Sequence, residues 1–217
     1  SLVGSEMCIR DSAGCAGDDV DLDGEDGGYE YASNVDNHRM LMGDVCDIKD
    51  LSGAYDWDEV SDIYENGKYA EKSDGSYRTL EGFASASGKN HAYDTYYGSD
   101  GSWDTFVSAA ISGTGPFAGE SNTVRDQAVE KGIQNGVMTA YAIHELNAAI
   151  IKAEAGNWGA DDAQHAWDEG WAFYHGPDDS DHDFDGCGPY ATADKRAGNF
   201  GTANSAGTAA TLSLIHI

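Results

Sequence analysis

Apolar residues recur at helical spacing along most of the 217-residue chain. The clearest case is 55–65, where Trp57, Val60 and Tyr64 are three or four residues apart, as on one face of a helix. Asp56 is placed to cap the start of this helix. The segment therefore predicts a short amphipathic helix with an apolar face turned to the core.

The same spacing predicts further helices along the chain, over 35–50, 78–86, 90–97, 102–111, 121–155, 161–174 and 188–201. The longest predicted helix, 121–155, is followed by Asn157 and Gly159, which disfavour its continuation. The sequence lacks a convincing alternation of apolar and polar residues of the kind that predicts a β-strand. We therefore predict a mainly α protein, a helical bundle with long polar loops.

The two ends of the chain differ in composition from its middle. Residues 1–12 and about 212–217 resemble translated sequencing adapter, so we leave them out of fold reasoning and expect the native termini to lie elsewhere. We divide the chain into an adapter-like segment 1–12, an acidic linker 13–35, a helical domain 36–205 and a truncated end 206–217 with adapter-like sequence. In the absence of calcium, deletion of 13–28 is expected to leave thermal stability nearly unchanged, because Gly and Asp bury little apolar area.

The charge balance excludes several kinds of partner. Twelve basic against 39 acidic residues give a net charge of −27. Nucleic acids and anionic membranes need clustered Lys and Arg, so both are disfavoured. Cations are the natural partners of such a field.

The cysteines exclude one class of site and leave a choice. Cys15, Cys46 and Cys187 form no CxxC pair, which disfavours a zinc ribbon or a thioredoxin-like motif. A Cys46–Cys187 disulfide in an oxidising compartment and two buried thiols both remain open.

Common catalytic signatures are absent. The sequence has no GxSxG, P-loop, HExxH or GxGxxG, and it has no Glu-x-x-His of the di-iron bundles. We therefore expect a protein that is not an enzyme.

Two acidic tracts resemble calcium-binding loops. The first matches D-x-D-x-D-G-x5-E with Asp19, Asp21, Asp23, Gly24 and Glu30. Asp26 stands where that loop wants an apolar residue, and no helix is predicted upstream of it. The second comprises Asp181, Asp183, Asp185 and Gly186, with Thr192 in place of the glutamate. Each match indicates either a calcium-binding loop or a chance occurrence of the motif in Asp-rich sequence.

Candidate metal ligands lie on the two longest helical segments and on 55–65. His144 and Glu145 sit within an apolar stretch, where a buried carboxylate must be paired, protonated or bound to a cation. Asp168 and Glu169 each lie one turn from His165, and the three residues form either a solvated polar face or a converging set of ligands. Tyr64 is a candidate because phenolate is a strong ligand for hard ferric iron, although most buried tyrosines only pack.

Several segments in order carry a family resemblance. They are YDWDEVSDIYENGKYAEKSDGSYRTLEGFA, SWDTFVSAAISGTGPFAGESNTVRDQAVEKGIQNGV, HAWDEGWAFYHG and CGPYATADKRAGNFGT. The set, from about Leu51 to Gly201, resembles the algal Fe-assimilating, low-iron-inducible periplasmic proteins, which include phytotransferrins.

This resemblance implies a function that the residues alone do not. It implies a protein of the periplasm, cell surface or extracellular space that captures ferric iron (Fe³⁺) for uptake, with carbonate as synergistic anion and a membrane tether outside this sequence. The few bases offer Arg78 and Arg196 as anion-binding candidates, against the alternative of surface salt bridges.

Two rival interpretations remain. One is an acidic cell-surface interaction module stabilised by Ca²⁺, since calcium prefers the same carboxylates. The other, less favoured, is a metal-dependent hydrolase or oxidase.

Overall fold

The chain is mainly α, as the hydrophobic spacing predicts. A computed structural model describes residues 25–177, 184 and 187–203. The described helices are α1 (Asp36–Arg39), α2 (Leu41–Ala54), α3 (Trp57–Asn66), α4 (Leu80–Ala84), α5 (Ala92–Tyr97), α6 (Ser102–Ser112), α7 (Asn122–Lys131), α8 (Met138–Glu154), α9 (Ala163–His175) and α10 (Pro189–Phe200). They are preceded by a two-stranded antiparallel hairpin, β1 (Glu25–Asp26) and β2 (Tyr29–Glu30).

The predicted helix over 121–155 forms one continuous helical run. Ser121 caps its start by accepting a hydrogen bond from the Val124 amide. Between α7 and α8 the turns widen into a π-helical segment, Gly132–Val137. Within it, a Cβ on Gly136 would lie 2.7 Å from the Trp103 ring, so α6 packs this closely only because the residue is glycine.

Helix α3 also follows its prediction, with one difference in its cap. It ends at Gly67, whose positive φ of 71° suits glycine. Asp56 precedes the helix, but its side chain makes no capping hydrogen bond, which corrects our expectation. The buried face carries Val60, Ile63 and Tyr64 into the core.

The core lies between α2, α3, α6 and the α8–α9 pair. Its largest fully buried side chains include Tyr64, Phe173, Leu41, Met42 and Ile48. Burial of these apolar groups is the main source of stability. Within the described residues, no helix is both long and apolar enough to cross a membrane.

The segment 25–35 differs from the expected acidic linker, because it packs on the helices. Asp26 is fully buried, accepts a hydrogen bond from Tyr31 and pairs with Arg39 at 2.6 and 2.9 Å. The Trp171 indole donates to the Asp26 carbonyl. Deletion of 13–28 would remove this anchor, so from the structure we expect the deletion to lower thermal stability, contrary to the expectation from the sequence. Residues 13–24 lie outside the described residues.

The same segment changes the environment of α9. The face with Asp168 and Ala172 was open to interpretation as solvated, yet both residues are fully buried. Tyr31 and Val35 pack against Ala172 and cover that face. A polar helical face became part of the interior because a Gly- and Asp-rich segment supplies its partner groups.

Cys46 and Cys187 form a disulfide, which settles one alternative left open by the sequence. Their Cα atoms are 5.2 Å apart, and the bond joins α2 to the residues just before α10. Disulfides persist in oxidising compartments such as a periplasm. Cys15 lies outside the described residues.

Candidate metal and anion site

A polar cavity of about 410 Å³ opens between α1, the start of α4, α8 and α9. Its ionisable lining comprises His38, Lys72, Arg78, Lys89, Glu145 and Glu169. The rings of Tyr141 and Phe173 form part of its apolar wall. Acidic and basic groups thus share one cavity in a chain that is strongly acidic overall.

Glu169 is the centre of this arrangement. Its Oε1 lies 3.1 Å from His38 Nε2 and 3.2 Å from His165 Nε2, one helical turn away on α9. Glu145, on α8, lines the same cavity. Burial, and then the charge of Glu145, raise the pKa of Glu169 to about 7. A proton or a cation between the two carboxylates relieves their repulsion.

His38 contributes a neutral imidazole. The side chain is buried against Phe83 and Phe173, and its pKa falls to about 3 because of burial and then the charges of Arg78 and His165. Among the described residues, its Nδ1 has no hydrogen-bond partner. Neutral imidazole is a common metal ligand.

Three basic side chains line the same cavity. Arg78 Nε donates to Asn37 at 2.7 Å, and Lys89 Nζ lies 3.4 Å from His144 Nε2 and 5.6 Å from the Tyr141 ring centre. Lys72 is the third. Within the described part of the chain, none of the three forms a salt bridge with a carboxylate. Their charge is available to an anion.

The structure brings together part of the predicted set. Glu145, Glu169 and Arg78 line the cavity, and His165 contacts Glu169 from its edge. His144 is half-buried, with its Nε2 3.7 Å from Glu145 Oε1. These five residues form one connected group around α8 and α9.

The other predicted residues lie apart from the cavity. Asp168 accepts hydrogen bonds from the Tyr29 hydroxyl, the Ala32 amide and the Ser33 hydroxyl. Both of its carboxyl oxygens are therefore hydrogen-bonded to the hairpin or to the residues just after it. Tyr64 donates to Asp104 at 3.1 Å between α3 and α6, and burial raises its pKa far above the ordinary value.

Arg196 is exposed on α10 and does not line the cavity. Among the described residues, Arg78 is therefore the predicted anion-binding arginine that the fold places beside the carboxylates.

The donor atoms are close to one another but not grouped as in a closed coordination shell. In the described ranges, no three His, Cys, Asp or Glu side chains are arranged to hold a metal ion directly. Glu145, Glu169 and His38 nevertheless supply oxygen and imidazole donors in one cavity, a set that suits ferric iron.

Sequence reasoning missed His38, Lys72 and Lys89. His38 lies in a short helical segment with no metal-ligand spacing, and becomes a site residue only through contact with Glu169. Lys72 and Lys89 lie in polar connections without a distinguishing pattern. Their scarcity in an acidic chain was the one available signal.

Most residues of the two calcium-like loops lie outside the described part of the chain. Of the first, Glu30 is exposed in β2 opposite Glu25, while Asp19, Asp21, Asp23 and Gly24 lie outside the described residues. Of the second, Thr192 lies in α10, and Asp181, Asp183, Asp185 and Gly186 lie outside them.

The protein is thus a helical protein with one mixed-charge cavity between α8 and α9. Over residues 18–211 the chain matches the family model described as Fea1, low iron-inducible periplasmic protein. The chain therefore belongs to the family of low iron-inducible periplasmic proteins, and the resemblance inferred from its segments is confirmed. No curated protein and no solved structure gave a significant match.

Proposed function

We propose that this protein binds ferric iron for uptake, in the cavity between α8 and α9, and that carbonate fills the iron's remaining positions. In this proposal Glu145, Glu169 and His38 hold the metal, and Arg78 holds the anion. The protein captures and delivers its cargo without chemical turnover, in the periplasm or at the cell surface. Its membership in a low-iron-inducible periplasmic family supports this role.

The observation that carries the proposal is that Glu145 on α8 and Glu169 on α9 line one cavity beside a neutral histidine. Two half-buried carboxylates whose charges repel in one cavity are costly unless a proton or a cation separates them. Carboxylate oxygens are hard donors and suit a hard ferric ion. The pair therefore has the charge and the chemistry of an iron-binding site.

Arg78 supplies what a planar anion needs. Its Nε is fixed by Asn37, so the guanidinium has a defined orientation at the cavity wall. A planar guanidinium can donate two parallel hydrogen bonds to a planar oxyanion, whereas the ammonium of lysine cannot.

Tyr141 is a more suitable phenolate donor than Tyr64. It lines the cavity, and burial followed by the charge of Glu145 raises its pKa to about 12. Ferric iron can displace this proton when the oxygen coordinates the metal. Coordination by Tyr141 would give a visible charge-transfer band, which a calcium complex would lack.

The test is isothermal titration of the protein with a chelated ferric salt, in buffer without bicarbonate and after bicarbonate is restored. Wild type should bind one iron more tightly with bicarbonate. Glu169→Gln should weaken binding at least about tenfold, as expected for loss of a charged ligand. Arg78→Lys should reduce the bicarbonate effect. Glu154→Gln, at an exposed position on α8, is the matched control.

The outcomes separate the parts of the proposal. Equal affinity in both buffers would reject carbonate while leaving an iron site. Unchanged iron binding by a folded Glu169→Gln protein would reject this cavity. Calcium binding that Glu169→Gln abolishes, without any ferric binding, would favour the calcium module instead.

A further inference from the structure

We infer that the cavity accepts ferric iron as an intact anionic chelate of the hydroxy-polycarboxylate class, not only as an ion with carbonate. This inference rests on the proposed function, because it names the form of the cargo at the same site. Two features of the cavity support this inference: the positive charge of its lining and its volume.

Positive charge is concentrated in this cavity against the trend of the whole chain. The molecule has only 12 basic residues and a net charge of −27, yet Lys72, Arg78 and Lys89 line one cavity. Elsewhere Lys68 pairs with Asp47, and Lys131 with Glu130. In the part of the chain that the structure describes, the three cavity cations form no salt bridge with a carboxylate, although acidic residues are abundant.

Carbonate alone does not balance this arrangement. With Glu145 and Glu169 both ionised, the three cations leave the cavity one positive charge, and ferric iron raises it to four. Carbonate removes two of these charges. A polycarboxylate with an ionised hydroxyl, such as citrate, removes three or four and brings the loaded cavity close to neutrality. Partly buried charge that is left unbalanced is costly, so the more highly charged ligand is favoured.

The size and shape of the cavity fit the same ligand. About 410 Å³ lies within the range of roughly 300–1,000 Å³ typical of small-molecule sites, and exceeds what iron with one carbonate needs. The iron can contact Glu169 and Glu145 on one wall. The outer carboxylates of the chelate can then reach Arg78 beside Asn37, Lys89 beside Tyr141, and Lys72.

The experiment follows metal and chelator separately. The purified protein is equilibrated with a one-to-one complex of ⁵⁵Fe and ¹⁴C-citrate, then separated by gel filtration in bicarbonate-free buffer. We expect both labels to remain bound in equal amounts. The double variant Lys72→Gln/Lys89→Gln should bind ferric citrate at least about tenfold more weakly, while its affinity for iron with bicarbonate should not fall.

The control variant is Lys195→Gln, which removes one positive charge from an exposed position on α10 outside the cavity. It should retain both labels like wild type. Circular dichroism spectra and melting curves verify that all variants are folded.

Failure of the inference differs from failure of the proposed function. Retention of ⁵⁵Fe without ¹⁴C would overturn the intact chelate and leave iron binding in place. Equal losses of ferric citrate binding in Lys195→Gln and in the double variant would overturn the role of the cavity cations. Retention of neither label, with no iron bound in bicarbonate buffer, would overturn the proposed function itself.

Discussion

Asp44 has a buried carboxyl group of which one oxygen is hydrogen-bonded, among the described residues, and the other is not. Its Oδ1 accepts hydrogen bonds from the backbone amides of Lys68 and Tyr69, both at 3.1 Å. Among the described residues, Oδ2 has no hydrogen-bond partner, and the residue is fully buried. Burial is the largest cause of the rise in its pKa to about 7.

This shift predicts a pH dependence of stability. The folded pKa is above the ordinary value, so the stability that protonated Asp44 contributes is present below about pH 4 and is lost as the pH rises through 7. Between pH 4 and 8 the difference amounts to at most about 4 kcal/mol. In Asp44→Asn this component of the pH dependence should disappear.

Urea unfolding at pH 5 and pH 8 measures this effect. The free energy of unfolding of Asp44→Asn, relative to wild type, should be higher at pH 8 than at pH 5. Asp58→Asn, at an exposed position on α3, should show no such difference. If both variants follow the wild-type profile, the buried carboxyl is already ionised at pH 5 and the argument fails.

At the scale of elements, the site depends on how closely α8 and α9 approach. A Cβ on Gly170 would lie 2.8 Å from Leu146 Cγ, and these residues follow Glu169 and Glu145 in the chain. The absence of a side chain at Gly170 therefore lets α8 and α9 pack closely enough for both carboxylates to line one cavity.

Gly170→Ala should separate the two helices. We expect a loss of about 1–3 kcal/mol in the free energy of unfolding, because overpacking must be relieved by backbone movement. Iron affinity should fall severalfold in the protein that remains folded. Gly198→Ala on α10, where a Cβ meets nothing within 4 Å, should instead be neutral or stabilise by about 0.5–1 kcal/mol. Unchanged iron affinity in folded Gly170→Ala would show that this approach does not position the carboxylates.

Helices could be predicted from the sequence because their signals are local, whereas contacts between distant segments could not. The spacing around Val60 and the end at Gly67 were sufficient for α3. The burial of 25–35 was missed, since its polar groups find partners in residues distant in the chain, such as Arg39 and Asp168. For the same reason, Glu169 could be nominated by its spacing, but its contact with His38 could not be anticipated.

At the scale of the whole molecule, the disulfide closes a very long loop. Cys46 and Cys187 are 141 residues apart in sequence. Cross-linking such distant residues removes many conformations from the unfolded chain, which by the loop-entropy account stabilises a protein by about 2–5 kcal/mol.

Reduction should therefore lower the melting temperature of wild type. The Cys46→Ser/Cys187→Ser protein should melt lower than oxidised wild type and should not respond to reductant. Differential scanning calorimetry with and without dithiothreitol provides the comparison. A wild-type melting temperature that is unchanged after complete reduction would contradict a stabilising role for the bond.

The global charge and the local charge of the cavity act in opposite directions on an anionic cargo. The molecule carries −27, whereas the cavity presents Lys72, Arg78 and Lys89. At about 10 mM ionic strength the screening length is near 30 Å, so an approaching chelate is repelled by most of the molecule. At about 150 mM it is near 8 Å, and the chelate responds mainly to the cavity cations.

Association of ferric citrate should therefore become faster as salt is added, by about tenfold between these two conditions. An aquated trivalent cation such as terbium should show the opposite trend, because the acidic surface attracts it. Stopped-flow quenching of protein fluorescence gives both rate constants in NaCl and in KCl. Slower association of ferric citrate at high salt would mean that the cavity cations outweigh the acidic surface even at long range.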